Sequence, residues 1–168
     1  IASELDWLTA LRAQPGLRCV TPVADHAGRM MQRIAGHTVV AFAPIAGREV
    51  AEADDLPRWF HTLGEISARL HAHARGWQRP ATFTRKRWDC DTILGDAPHW
   101  GRWQDAPGLT PDGTRILARL CDDLRTRLAA YGTGPDRFGL IHADLRLTNL
   151  MIGDAGLWAI DFDDCGFG

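Results

Sequence analysis

The sequence has no Cys-x-x-Cys pair. Its four cysteines, Cys19, Cys90, Cys121 and Cys165, stand far apart. That argues against a structural zinc site and, in a chain of 168 residues, against a disulfide framework, so a reduced, cytoplasmic setting is expected. No apolar run approaches the ~20 residues of a membrane-spanning helix, and no membrane partner is expected. Charge of one sign is not in excess either: 19 basic against 21 acidic residues give a formal charge of -2, which calls for no nucleic acid. A basic-then-apolar leader, internal repeats and low-complexity tracts are also missing. The chain opens at Ile1 directly on a helix-like pattern and is expected to be a piece of a longer protein. Nothing in it bears on oligomeric state.

What is present is an ordinary globular composition, 45% hydrophobic and 24% charged. It suffices for one domain or two small lobes around a core. Leu5, Leu8 and Leu11, with Trp7 beside them, predict a first helix that Ser3 would cap and Pro15-Gly16 would stop. Strand-like pieces follow at Cys19-Val20, 29–34 and 38–42, with turns at 25–28 and 35–37, so the opening stretch reads as a helix and a small antiparallel sheet. Ala43-Pro44-Ile45-Ala46-Gly47 breaks this pattern. Beyond it the periodicity turns helical over 56–74, with Pro57 in the first turn. Residues 76–111 read as a tryptophan-bearing loop region with one short helix near 89–94. Ile116, Leu120, Leu124 and Leu128 mark another helix over 114–130, ended by Gly132. The fold class is therefore α+β, with a strand-rich segment over 1–43, a connector 44–47 and a mostly helical segment over 48–168.

The chemistry concentrates near the end. His142-Ala143-Asp144 is followed by Asn149, five residues after Asp144, and Asp161 stands twelve residues further on. The turn Gly153-Asp154-Ala155-Gly156 folds 150–152 against 157–160 as a hairpin, bringing Asn149 and Asp161 together at its open end. An amide oxygen and a carboxylate are hard ligands suited to Mg2+ that also holds phosphate oxygens. Asp144, on the loop, is placed to take a proton from an incoming hydroxyl. Together these make the division of labour of kinase phosphoryl transfer.

The run 142–149 with Ile160-Asp161-Phe162-Asp163-Asp164 resembles the phosphotransferase family that includes aminoglycoside phosphotransferases, choline kinases, homoserine kinases of the same fold and a bacterial stress-response protein kinase. The resemblance implies a protein-kinase-like two-lobe fold, partial in both lobes, with ATP and Mg2+ as cofactors and a small-molecule hydroxyl as acceptor. It implies Asp144 as base, and Asn149 and Asp161 as metal ligands. Asp163 stands where a protein kinase carries glycine, as a further ligand or an ordinary turn carboxylate. Arg146 holds the transferring phosphate or faces solvent. Glu4 resembles the helix glutamate that pairs with an ATP-binding lysine, or is a plain first-turn charge. Residues 41–47 resemble the strand and hinge that hold adenine, through the Ala43 carbonyl and the Ile45 N–H.

The sequence also departs from this pattern. Its one lysine, Lys86, lies well past the connector, and no glycine-rich phosphate loop precedes Glu4. The fragment alone is expected to be incapable of full catalysis. A protein Ser/Thr kinase and a catalytically silent kinase-like binding module are the alternatives. Between Ile66 and Trp88 stand six basic residues and no acidic one, read as a solvated face or an anion-facing surface.

Overall fold

The computed structural model describes residues 1–51 and 54–168. Helix α1 (Ala2–Leu11) buries Leu5, Trp7, Leu8 and Leu11, the stripe its spacing predicts. Ser3 does not cap it. The N-cap position falls on Ile1, and the Ser3 hydroxyl instead accepts the Thr84 N–H at 2.9 Å, which ties α1 to the loop region.

Three strands follow: β1 (Pro22–Val23), β2 (Met31–Ile34) and β3 (His37–Phe42). They form an antiparallel sheet in the order β1-β3-β2. The β2–β3 turn is Ala35-Gly36, with φ of 49° and 84°, as a two-residue hairpin turn demands. The strand expected at Cys19-Val20 is only a parallel bridge from Cys19 to Ala159, and the ladder begins at Pro22. The next strand, β4 (Gly47–Glu49), has no alternating apolar pattern. It forms because its backbone pairs antiparallel with β6 (Leu150–Gly153), so the end of the connector is stitched to the hairpin that β6 opens.

Helix α2 (Leu56–Gly76) starts at Asp55, whose side chain accepts the Arg58 N–H, and buries Leu63, Ile66, Leu70 and Ala74. That face packs on β5 (Leu140–Ile141) and on β7 (Gly156–Ala159). The loop region contains α3 (Cys90–Leu94), opened by a capping box between Asp89 and Thr92. Helix α4 (Pro111–Tyr131) is capped by Thr110 and ends at Gly132, with φ 80°. Of the four periodic residues that announced this helix, Ile116, Leu120 and Leu128 are exposed and Leu124 is half-buried, and Cys121 is its buried residue. A short last strand, β8 (Gly166–Phe167), pairs with β5.

The core lies under the β6–β7 hairpin. Trp7, Leu8 and Leu11 of α1 meet Ile66 and Leu70 of α2, together with Leu150, Leu157, Ala159, Phe162 and Cys165. Among the described residues no helix is long and apolar enough to cross a membrane.

Candidate active site

Strand β5 delivers His142 into the core, where the ring is 1% exposed. Its Nε2 lies 3.0 Å from the Ile160 carbonyl, and Asp144 donates its N–H to Nδ1 at 3.4 Å. Those partners fix the tautomer: Nε2 carries the proton and Nδ1 accepts. Burial lowers the pKa of the ring, with the bond to Ile160 opposing, so His142 is a neutral strut between the loop and the hairpin.

The chain then turns through Ala143 at φ 72°, a left-handed conformation that costs a non-glycine residue about 1–2 kcal/mol. Asp161 adopts the same region at φ 65°, which aspartate tolerates better. Asp144 is thus reached through a left-handed residue, and Asp161 is one itself.

Asn149, 4% exposed, closes a short 3-10 turn over Leu147–Asn149. Its Nδ2 donates to the Asp144 carbonyl at 2.9 Å and to the Asp144 carboxylate at 2.7 Å. No donor among the described residues reaches its Oδ1, and that atom is not sealed from solvent. It is a free oxygen donor. Across the hairpin the Ile160 N–H donates to the Asn149 carbonyl at 3.0 Å, which brings Asp161 alongside. Arg146 places Nε 3.1 Å from Asp144 Oδ2, with 65% of its side chain exposed.

The neighbourhood is crowded with negative charge. The Asp161 pKa is raised by partial desolvation, then by a hydrogen bond with Asp163 and the charges of Asp163, Asp144 and Asp164. Asp161 is itself exposed, so the neighbouring carboxylates are the more telling cause. Glu4, buried on α1, is raised too: burial comes first, Asp163 and Asp161 add to it, and Arg85 opposes it. Among the described residues no three His, Cys, Asp or Glu side chains form a metal cage by themselves. Carboxylates repelling one another beside a free amide oxygen nevertheless fit a divalent cation that completes its shell with phosphate and water.

The sign of that repulsion predicts a pH dependence. A carboxyl with a raised folded pKa contributes stability fully below its ordinary value, 3.8 for Asp161, and loses it as pH rises through the raised value. Asp161→Asn should therefore raise the melting temperature of the metal-free protein at neutral pH. The gain should vanish as pH falls towards 3.8. Equal gains across a pH series of thermal melts would contradict this origin.

Ala43 and Ile45 line a cavity of about 240 Å3 with Pro44, Ala46 and Trp158. The Ala43 N–H donates to the Thr21 carbonyl at 2.9 Å, so its own carbonyl is the group left for a ligand; the Ile45 N–H has no partner among the described residues. The site thus gathers Asp144, Arg146, Asn149, Asp161, Asp163 and Glu4, with Ala43 and Ile45 apart on the connector.

Sequence reasoning missed the contacts of the basic loop. Arg69, Arg75, Arg79, Lys86 and Arg87 are exposed, as a solvated face would be, but Arg85 and Lys86 also bind the segment after Asp161, through the carbonyls of Asp163 and Cys165 and the carboxylate of Asp164. The Arg-Lys-Arg-Trp run was the available signal, but its partners lie too far along the chain to be paired with it by pattern.

The fold has solved counterparts. The chain superposes on the microcompartment-associated aminopropanol kinase with a TM-score of 0.90 and 44% identity, over 99% of this chain and 54% of that one. It superposes on an amicoumacin kinase in complex with AMP-PNP, Ca2+ and Ami at a TM-score of 0.72 and 25% identity, over 99% and 48%. The homoserine kinase of Methylobacillus flagellatus is 29% identical over 160 residues, 94% of this chain and 45% of that protein. The chain spans about half the length of the curated relatives it matches. Its fold is the α+β, protein-kinase-like fold of these phosphotransferases. The profile of the phosphotransferase enzyme family matches residues 1–168 throughout, and the chain belongs to that family.

Proposed function

We propose that the protein carrying this chain transfers the γ-phosphoryl group of ATP to the hydroxyl of a small molecule, with Asp144 as the base. The observation that carries this reading is the Asn149 amide gripping both the carbonyl and the carboxylate of Asp144 while leaving its own Oδ1 free. One residue thereby positions the base and offers a metal ligand.

Asp144, held by Asn149 and backed by the neutral His142 strut, orients the acceptor hydroxyl and accepts its proton. Arg146 shares the Asp144 carboxylate and, on its exposed stem, is free to turn to the transferring phosphate. Asn149, Asp161 and Asp163 would hold Mg2+, which when bound neutralises the charge of the ATP phosphates. Glu4, which feels the charges of Asp161 and Asp163, is suited to pair with a lysine that binds the ATP phosphates. In this reading 1–43 belongs to the nucleotide lobe, 44–47 is the hinge and 48–168 the catalytic lobe, with adenine on the Ala43 carbonyl and Ile45 N–H. ATP and Mg2+ make a cytoplasmic setting the natural one.

For the acceptor we favour a small amino alcohol, because the 44% identical neighbour is an aminopropanol kinase and another relative is a homoserine kinase. A panel of hydroxyl compounds offered to the protein as naturally encoded, with ADP release as readout, tests this. Turnover is expected with amino alcohols and not with the same alcohols lacking the amine. Label from ATP appearing on protein in place of small molecules would support the protein-kinase alternative, and no turnover with any acceptor the silent binding module.

A further inference from the structure

The segment that follows Asp161 is held from a distant region of the chain. Arg85 donates through Nε to the Cys165 carbonyl at 2.5 Å and through Nη2 to the Asp163 carbonyl. Next to it, Lys86 Nζ lies 2.9 Å from the Asp164 carboxylate, and Trp88 Nε1 donates to the Asp164 carbonyl at 2.7 Å. Two backbone bonds extend the clasp: Phe167 N–H to the Lys86 carbonyl at 2.9 Å, and Trp88 N–H to the Phe167 carbonyl at 2.7 Å. From within, the Cys165 N–H donates to the Phe162 carbonyl at 3.0 Å, closing a turn whose ends, Phe162 and Cys165, are both buried.

We propose that Arg85 is a positioning residue for the metal carboxylates: its guanidinium fork fixes the peptide carbonyls on both sides of Asp164 and so keeps Asp161 and Asp163 in the arrangement that takes a divalent cation. The proposal rests on the metal assignment made above. The turn 162–165 carries one of these carboxylates and directly follows the other. Buried Phe162 anchors its start, but Asp144, Asp163 and Asp164 surround Asp161 with like charge that would push the carboxylates apart. Arg85 meets two carbonyls with two different nitrogens at a fixed angle. A lysine ammonium keeps the charge but presents no such rigid fork. Removing a group that orients metal ligands without touching the metal typically costs about 10–100-fold in affinity.

The test is Mn2+ titration of the protein as naturally encoded, with a non-hydrolysable ATP analogue present and electron paramagnetic resonance reporting free Mn2+. Arg85→Lys and Arg85→Met are each expected to weaken Mn2+ binding by about tenfold or more. The apparent KM for Mg2+ should rise in step, while the KM for the acceptor stays put. A merely structural role would lower the melting temperature and leave the Mn2+ affinity of the folded protein unchanged, and that result overturns the proposal. So does full affinity in Arg85→Lys, because charge alone would then suffice. If Arg85→Met does not fold, Arg85→Lys decides. Asp161→Asn, run in parallel, separates the two levels. Undiminished Mn2+ binding there removes the metal assignment itself, whereas its loss there with retention in Arg85→Lys removes only the role given to Arg85.

Discussion

Asp144→Ala is expected to lower kcat by about 10²–10⁴-fold, the range over which a positioned general base contributes, with the KM for ATP little changed. The reason lies in how little else the Asp144 carboxylate does. It terminates no helix. Its contacts are with Asn149 Nδ2 and with Arg146, and neither is needed to hold the core. Removal leaves the His142 strut and the Asn149 bond to the backbone carbonyl of residue 144 in place, so the loop keeps its path. Steady-state kinetics with saturating nucleotide measures the effect. Near-normal turnover in a folded Asp144→Ala protein would remove the assigned base and leave Asp144 a loop-capping carboxylate.

The second large effect is structural. Phe162→Ala should destabilise the fold by about 3–5 kcal/mol, the usual range for removing a buried phenylalanine. Phe162 is among the largest fully buried side chains. It meets Trp7 of α1 edge-on at 5.6 Å between ring centroids and His142 at 4.3 Å. The ring therefore sits between the helix that carries Glu4, the strut under Asp144 and the backbone that carries Asp161. Stabilities of ordinary domains are only about 5–15 kcal/mol, so this single change takes up a large share. Urea denaturation checks it. A loss below about 1 kcal/mol would mean that the three elements hold together without the ring, against the range expected for a buried aromatic.

How much of this was legible in the sequence depended on distance along the chain. The loop 142–149 and the β6–β7 hairpin were, because His142, Asp144, Asn149 and Asp161 lie within twenty residues and the turn between the strands is spelled by glycines. The α1 and α2 faces were too, since helical period alone marks Leu5, Leu8, Leu63 and Leu70 for burial. Strand β4 was not: Gly-Arg-Glu carries no alternation, and only its partner β6 makes it a strand. Ser3 misled for a related reason. It stands where a cap is expected, and a tertiary partner, the Thr84 N–H, claimed the hydroxyl. On α4 the period correctly announced a helix, but three of the four residues that announced it are exposed and Leu124 is only half-buried. Periodicity reports an apolar face, not what covers it.

The clasp from 85–88 onto 163–167 also has a meaning in time. Lys86 and Asp164 are 78 residues apart, whereas the β6–β7 hairpin closes over the two residues between its strands. Hairpins form in about 1–10 μs once their residues exist. On the ribosome, where about 5–20 residues are added each second, the 78 residues between the two halves of the clasp take roughly 4–16 s to make. For all of that interval Arg85, Lys86 and Trp88 wait without the carbonyls and carboxylate they will bind. The carboxylates of Asp161 and Asp163 thus acquire their final geometry only once the segment 163–167 has been made and has met 85–88, and not when the hairpin itself forms.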